Sequence, residues 1–451
     1  MKSLLVCSSL LFHQRQQIRN SSFISSLITS IRSSIRMSAA AVVADHEKEA
    51  ERETKQVEPL IQKPVRIRKG KYALLFSYCG SGYFGLQRNK GFNTVEEEVL
   101  VALRDTRMIT EEEFEKPNLI FFQRAARTDK GVSAAVQVLS LCLPREVNEE
   151  VDHLNKLLPD QIKILGAIKT TRFFDSKNFC DGRTYSYMMP SYALAPPDAL
   201  TTSSFRADAN VMEEFNKLLS IFKGTHNFHN FTSEKKATDA SAMRYILSIE
   251  AGQPFMRDGM EFVIVRIRGQ SFMLHQIRKM IGMVIAIMRG FSTMDQLKKS
   301  FLMEKLDIPR APGSGLMLED VHYDKYNQKF GGDGIHEPIS WSRWSDRVAD
   351  FREKVIHPVM VEKEKKESSM LQWLDTLPLH TYEAREPGAN PVRTPFGKAF
   401  HNIEKDAAAT EEEDGEVENG DEEVVDEIEE PDDEIREREE TGVMAKKART
   451  S

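Results

Sequence analysis

The sequence predicts an α+β protein built from two similar halves. Across residues 71–330, segments that alternate apolar and polar residues, as strands do, interleave with segments of helical apolar period. A proline-bearing stretch at 191–204 separates two halves of the same style. We therefore expect an N-terminal subdomain at 71–190 and a C-terminal subdomain at 191–330.

Strands dominate the first half. KYALLFSY (71–78) alternates in the way that predicts a strand, and the glycines of CGSGYFG (79–85) predict a tight loop after it. Thr94 can cap the following helix, with Glu97 three residues later as in a capping box. The elements predicted in this half are strands at 71–78, 118–123, 135–143, 162–170 and 183–190, and helices at 94–106 and 151–159.

The second half contains a long, very apolar helix. It is predicted at 272–289, after a helix at 211–224 and strands near 243–250 and 261–268. Its 18 residues include His275, Arg278 and Lys279, which favours a buried core helix over a membrane span.

The two ends of the chain differ from its body. Residues 45–70 read as a charged linker, 331–400 as a helical, Trp-bearing C-terminal extension, and 401–451 as a disordered acidic tail. The segment 404–440 holds 21 Asp or Glu and three basic residues, so the remainder has 59 basic residues against 48 acids, near +11. A basic body suits a polyanionic partner such as nucleic acid. The tail is either a solubilising segment or a weak competitor for the basic surface.

The first 44 residues have the composition of an organellar transit peptide. They contain eleven serines and five basic residues, with no Asp or Glu. A secretory signal is the rival interpretation, because Leu4–Phe12 is a short apolar run. We expect a mitochondrial or plastid protein. Met37 offers a second start whose product could enter the nucleus.

Neither cofactor nor metal chemistry is expected. The four cysteines form no Cys-x-x-Cys pair, and His226 and His229 have no third ligand beside them. The glycine-rich loop 79–91 could touch phosphate, but it lacks the Lys-Ser/Thr ending of a Walker loop.

The stretch RAARTDKGVSA (124–134) carries the first candidate site residue. Asp129 lies in a polar turn between two apolar runs, with Arg124, Arg127 and Lys130 around it. One interpretation is a solvated surface turn. The other is an ionised carboxylate on a rigid mount, ready to act as nucleophile or base.

Two residues elsewhere are also candidate site residues, and each has a purely structural interpretation as its alternative. Arg278, in an apolar helix, either lies at the helix surface or pairs with a carboxylate, for which Asp129 is available. Tyr185, beside Arg183, is either a half-buried strand tyrosine or a ring on which a nucleotide base stacks.

Taken together, six motifs resemble the TruA family of tRNA pseudouridine synthases. They follow one another in the family's order across about 71–326: YCGSGYFGLQRN with TVEEEVLVAL, RAARTDKGVSA, RTYSY, KGTHNF, GQSFMLHQIRKMIG and APGSGLMLEDVHY. FFDSKNFCDGRTYSYMMP (173–190) and the C-terminal extension look most like the eukaryotic multisite branch.

The resemblance implies two subdomains that share a mixed, mainly antiparallel sheet flanked by helices, with a basic RNA-binding cleft. It implies that Asp129 is catalytic and that Arg127 helps to extrude the target nucleotide. It also implies that Tyr185 packs on the uracil, that Arg278 pairs with Asp129, and that Leu316 forms an apolar wall.

The function expected from this resemblance is isomerisation of uridines in tRNA, with small nuclear and messenger RNA left open as substrates. One alternative is a non-catalytic tRNA-binding chaperone of the same fold. Another is a glycoside- or nucleoside-cleaving hydrolase, which would want a second acid near Asp129. No membrane partner is expected, and the oligomeric state stays open, with a monomer favoured.

Overall fold

The computed structural model describes residues 68–384 except 198, 200 and 234. The expected transit peptide, nearly all of the linker, the end of the extension and the acidic tail lie outside the described residues. Ten strands form one sheet. They are β1 (Lys69–Tyr78), β2 (Gln123–Arg124), β3 (Ser133–Pro144), β4 (Ile162–Lys169), β5 (Gly182–Pro190), β6 (Gly224–Asn227), β7 (Met243–Ala251), β8 (Phe255–Arg257), β9 (Met260–Gly269) and β10 (Leu316–His322).

The strand order joins the two halves through the middle of the sheet. It runs β4-β1-β3-β10-β5-β9-β7-β6, with β2 beside β3 and β8 beside β9. β10 pairs with β3 in parallel, and the other paired strands are antiparallel. The expected mixed, mainly antiparallel sheet flanked by helices is confirmed.

Helices flank this sheet. They are α1 (Val95–Asp105), α2 (Glu111–Glu115), α3 (Val151–Leu157), α4 (Ala209–Ser220), α5 (Gln276–Met288), α6 (Met294–Lys299), α7 (Asp324–Phe330), α8 (Ser345–Phe351), α9 (His357–Glu367) and α10 (Ser369–Leu374). A π-helical stretch, Arg352–Ile356, joins α8 to α9. Among the described residues, no helix has both the length and the apolar character to cross a membrane.

Each half of the sheet has its own apolar core. Phe76, Leu100 and Leu139 belong to the first, and Phe215 and Val265 belong to the second. The half-buried ring of Tyr185 packs against both cores. The central strand β5 therefore carries a residue that lies at the seam between the halves.

Two predictions of where elements lie were wrong, each at a residue with left-handed backbone. The strand expected at 118–123 is mainly a 3-10 helix, Pro117–Ile120, which ends at Phe121 with φ +51°. The amine of Lys71 donates a hydrogen bond to the Phe121 carbonyl at 2.6 Å and helps to hold this bend. The long helix begins at Gln276, later than expected, because His275 has φ +62°.

Candidate active site

Three central strands bring the candidate residues together. The turn that contains Asp129 leads into β3, and Leu316 is the first residue of β10. Because β3 and β10 are parallel, with Met317 opposite Ser133, their first residues meet at the same end of the sheet. The antiparallel neighbour β5 places Tyr185 opposite Leu318.

A cavity of about 780 Å³ opens at this point. All five residues singled out from the sequence line it: Arg127, Asp129, Tyr185, Arg278 and Leu316. The lining also includes Arg124, Lys177 and Arg183, so one carboxylate stands among five Lys or Arg side chains. A cavity of this size can admit one nucleotide with its phosphate near cations.

The glycine-rich loop 79–91 holds the turn that contains Asp129. The backbone amide of Leu86 donates to the Thr128 carbonyl at 3.1 Å, and that of Gly131 donates to the Tyr83 carbonyl at 3.1 Å. A Cβ on Gly85 would lie 2.9 Å from the Thr128 carbonyl oxygen. Gly85 therefore lets the backbone of this loop approach the backbone of the turn.

Arg124 and Lys130 have partners within the protein. Arg124 forms a bidentate ion pair with the carboxylate of Glu96, a buried residue that is 1% exposed. Burial raises the pKa of Glu96, and the Arg124 guanidinium is the strongest influence in the opposite direction. The amine of Lys130 lies 4.1 Å from the centroid of the Phe84 ring. The Arg124–Glu96 pair was not foreseen, because its partners are 28 residues apart and nothing local marks them.

Arg278 is half-buried on α5 and faces the segment that precedes β10. Its Nε donates to the carbonyl of Ala311 at 2.8 Å. A Cβ on Gly313 would lie 3.4 Å from its guanidinium carbon, so the glycine leaves room for this flat group. Arg278 and Asp129 both line the cavity, and they come from different halves of the protein.

Tyr185 is fixed by the ring of Phe272. The two ring centroids are 5.3 Å apart and the planes meet at 83°, an edge-to-face contact. Burial raises the pKa of the Tyr185 phenol, and the nearby Asp129 carboxylate acts in the same direction, so the hydroxyl is neutral at physiological pH. Arg183 donates to the carbonyls of Ala125 at 2.7 Å and Gln270 at 3.1 Å, which ties two walls of the cavity together.

His275 is a cavity-lining residue that the sequence did not single out as a site residue. It lies immediately before α5, and Nη1 of Arg310 is 3.1 Å from its Nε2. Burial, followed by the charges of Arg310, Arg278 and Lys279, lowers the pKa of His275 to about 3. Its imidazole is therefore neutral at physiological pH and can offer a lone pair or a proton to a bound molecule.

The arrangement is suited to acid–base or nucleophilic chemistry on a bound ring. Within the part of the chain that the structure describes, no group of three or more His, Cys, Asp or Glu is placed to hold a metal ion. The fold and the cavity define an enzyme of the nucleic-acid-modifying class. A carboxylate at this position is suited to nucleophilic or acid–base chemistry, the cations are suited to phosphates, and the aromatic ring is suited to a base.

Comparison with known proteins names the family within this class. Residues 219–324 match the sequence profile of the tRNA pseudouridine synthases. Pseudouridylate synthase 1 homolog of mouse is 47% identical over 330 residues, covering 72% of this chain and 78% of the mouse protein. The human protein of that name is 48% identical over 315 residues, covering 69% and 74%. tRNA pseudouridine synthase 1 of Yarrowia lipolytica is 31% identical over 389 residues, covering 68% and 74%. The chain belongs to the TruA family of tRNA pseudouridine synthases.

Proposed function

We propose that this enzyme converts uridines of tRNA to pseudouridine and that Asp129 is the catalytic residue. One observation carries the assignment of the site. Five residues from four separate motifs, spread over about 190 positions of the sequence, line a single cavity. The family supports the reaction.

The reaction needs a carboxylate and conserves every atom. The N1–C1′ bond of uridine breaks, the uracil turns, and a C5–C1′ bond forms. C5 loses a proton and N1 gains one, so nothing is oxidised and no group leaves. Asp129 can attack the uracil ring or C1′ as a nucleophile, or accept a proton from C2′ as a base. All three routes need a carboxylate that the substrate can reach, and Asp129 is exposed at the cavity.

The other lining residues then have separate tasks. Extruding a base from its stack costs a few kcal/mol, and the exposed Arg127 is suited to occupy the vacated space. Tyr185 packs on the uracil, and Leu316 supplies an apolar wall that retains the detached ring. Arg278 pairs with the Asp129 carboxylate and orients it.

The substrates we propose are tRNAs first, with small nuclear and messenger RNAs as further candidates. Yarrowia lipolytica tRNA pseudouridine synthase 1 is named for tRNA. A cavity that holds one nucleotide leaves the rest of the RNA to be read by the surface around it. Mapping pseudouridine across cellular RNA, with and without the protein, identifies the modified positions.

Substitution of Asp129 by Asn tests the assignment of the catalytic residue. We expect Asp129→Asn to form no pseudouridine on tRNA while its Kd for tRNA stays within about twofold, because the amide is isosteric but neither nucleophilic nor basic. The exposed Asp160, which does not line the cavity, provides the matched control Asp160→Asn with wild-type turnover.

Three outcomes separate the alternatives. A wild-type rate in Asp129→Asn would sink the catalytic role of Asp129. Release of free uracil by the wild-type enzyme would indicate a hydrolase. Full rescue of cells by Asp129→Asn would indicate that a tRNA-binding chaperone activity is the one that cells require.

We also propose that the first 44 residues direct the protein to mitochondria or plastids, and that a product starting at Met37 enters the nucleus. The absence of Asp and Glu from that segment supports this proposal. Tagged proteins that start at Met1 or Met37 test it by their distribution, and identical distributions would contradict it.

A further inference from the structure

A buried carboxylate lies in the C-terminal extension, outside the cavity. Glu364, on α9, is 6% exposed. It accepts hydrogen bonds from the hydroxyl of Tyr192 at 2.8 Å, the hydroxyl of Ser369 at 2.7 Å and the backbone amide of Met370 at 3.0 Å. Burying a carboxylate costs free energy unless hydrogen-bond donors surround it. The hydrogen bonds from these three donors to Glu364 are therefore strong, and they fix the donors in place.

These hydrogen bonds continue toward the active site through a second serine. A carboxylate only accepts, so Ser369 donates to Glu364 and leaves its own oxygen to accept from Ser314, 3.1 Å away. Ser314 is the middle residue of a 3-10 turn, Gly313–Gly315, which ends immediately before Leu316. The extension is therefore hydrogen-bonded to the turn that presents a cavity wall.

The segment that contains this turn also holds an arginine of the cavity. The carbonyl of Ala311 accepts from Arg278 Nε at 2.8 Å, and the carbonyl of Pro312 accepts from the hydroxyl of Tyr187 at 2.7 Å. Leu316 follows the turn directly. A displacement of residues 311–315 would therefore move the supports of Arg278 and Leu316 together.

Packing fixes the same turn from the sheet side. A Cβ on Gly315 would lie 2.1 Å from the Met188 carbonyl oxygen, so the turn rests directly on the β5 backbone. Met188 and Phe262 form a buried cluster with Val361 of α9. The extension thus packs against β5, the strand that carries Tyr185. It also contacts the turn through the hydrogen bond between Ser369 and Ser314.

We propose that Glu364 is a positioning residue for the isomerase. Through Ser369 and Ser314 it holds segment 311–315 in the position that places Arg278 and Leu316 at the cavity. This inference rests on the proposed function, since it concerns the rate of that reaction. It assigns the extension a part in catalysis without contact with the substrate.

The test compares two donors to the same carboxylate. Ser369→Ala removes the hydroxyl that links Glu364 to Ser314 by hydrogen bonds. Tyr192→Phe removes a hydrogen bond to Glu364 that has no connection to Ser314. Single-turnover pseudouridine formation, the Kd for tRNA and the melting temperature are measured for each full-length variant. Ser314→Ala and the Ser314→Ala/Ser369→Ala double variant complete a cycle, and Ser369→Thr restores the hydroxyl.

Ser369→Ala and Ser314→Ala are each expected to lower the single-turnover rate by about tenfold to a hundredfold, because small misplacements of site groups cost this much. The Kd for tRNA should stay within about twofold. The double variant should lose no more than either single variant, since both break one link. Tyr192→Phe and Ser369→Thr should keep the wild-type rate.

The proposal is overturned if Ser369→Ala turns over at the wild-type rate, or if Tyr192→Phe loses as much rate as Ser369→Ala. Either result would make Glu364 a stabiliser of the fold only. Should Ser369→Ala fail to fold, Ser314→Ala decides in the same assay. Wild-type turnover on tRNA is measured alongside, so failure of the proposed function is recognised separately.

Discussion

The phenolic oxygen of Tyr78 lies 2.6 Å from Oγ1 of Thr128, the residue immediately before Asp129. Both side chains are buried. Burial raises the pKa of Tyr78, so its hydroxyl stays protonated and available for this bond throughout the physiological range. The turn that contains Asp129 is thus anchored from β1 as well as from the strand it leads into.

Removing this hydroxyl should loosen the turn. We predict that Tyr78→Phe lowers the single-turnover rate several-fold and the free energy of unfolding by about 1–2 kcal/mol, because the buried Thr128 hydroxyl loses its partner. Tyr72→Phe, at a buried tyrosine on the same strand, is the matched control. Denaturant unfolding measures the free energy of unfolding, and single-turnover reactions on tRNA measure the rate. An unchanged rate in Tyr78→Phe would mean that the turn needs no such anchor.

Gly85 should tolerate no side chain. It has φ +98°, and an added Cβ would meet the Thr128 carbonyl oxygen at 2.9 Å. Gly91 has a similar φ of +88° with nothing within 4 Å of such a Cβ. Alanine at either position adds backbone strain of about 1 kcal/mol or more.

We therefore expect Gly85→Ala to lose pseudouridine formation by at least about tenfold, while Gly91→Ala loses stability alone. Steady-state rates at equal folded fractions, checked by circular dichroism, distinguish the two. Equal losses of rate in both variants would show that strain, and not displacement of the turn, is responsible.

The sequence predicted most of the elements, and the five residues it singled out line one cavity, but it predicted only some of the contacts. Alternation and capping are local properties, so β1, β3, β9 and the Thr94 cap of α1 were foreseen. The parallel pairing of β3 with β10 joins segments about 180 residues apart, and local pattern does not specify it.

Two left-handed residues and one long-range ion pair account for the other differences. Phe121 and His275 adopt positive φ where tertiary contacts hold them. Phenylalanine gives no signal of such a bend, and histidine, although enriched there, adopts positive φ in only a minority of its occurrences. The side chain of Glu97 was expected to complete a capping box and instead forms an ion pair with Arg88. The ion pair with Arg88, which forms only in the folded chain, takes the place of the capping box that the local sequence favours.

Arg127 should matter most when the target uridine is stacked. We predict that Arg127→Ala lowers the rate by about tenfold, or about 1.4 kcal/mol, on a uridine within a stem, because the variant cannot fill the space left by an extruded base. The same uridine placed in an unpaired bulge should react at nearly the wild-type rate. Lys130→Ala, in the same turn, should affect both RNAs equally if it acts only through charge. Equal losses on stem and bulge for Arg127→Ala would argue against extrusion.

Asp320 should make the protein less stable as the pH rises. It lies on β10, and burial raises its pKa from 3.8 to about 7, with the neighbouring Glu319 acting in the same direction. The unfolded chain loses this proton near pH 4, whereas the folded protein keeps it until about pH 7. The folded state therefore binds more protons between these values, and stability falls with increasing pH across that window.

Asp320→Asn should remove this dependence. The asparagine side chain stays neutral at every pH, and its carbonyl oxygen can still accept the hydrogen bond that the Val321 amide now donates to Asp320 at 2.8 Å. We expect the variant to be more stable than the wild type by about 1–4 kcal/mol at pH 8, with the difference vanishing below about pH 4. Urea unfolding at about pH 4, 6 and 8 measures it, with the exposed Asp160→Asn as control. A variant that is less stable than the wild type at the highest pH would show that the Asp320 carboxylate is stabilised in its ionised form.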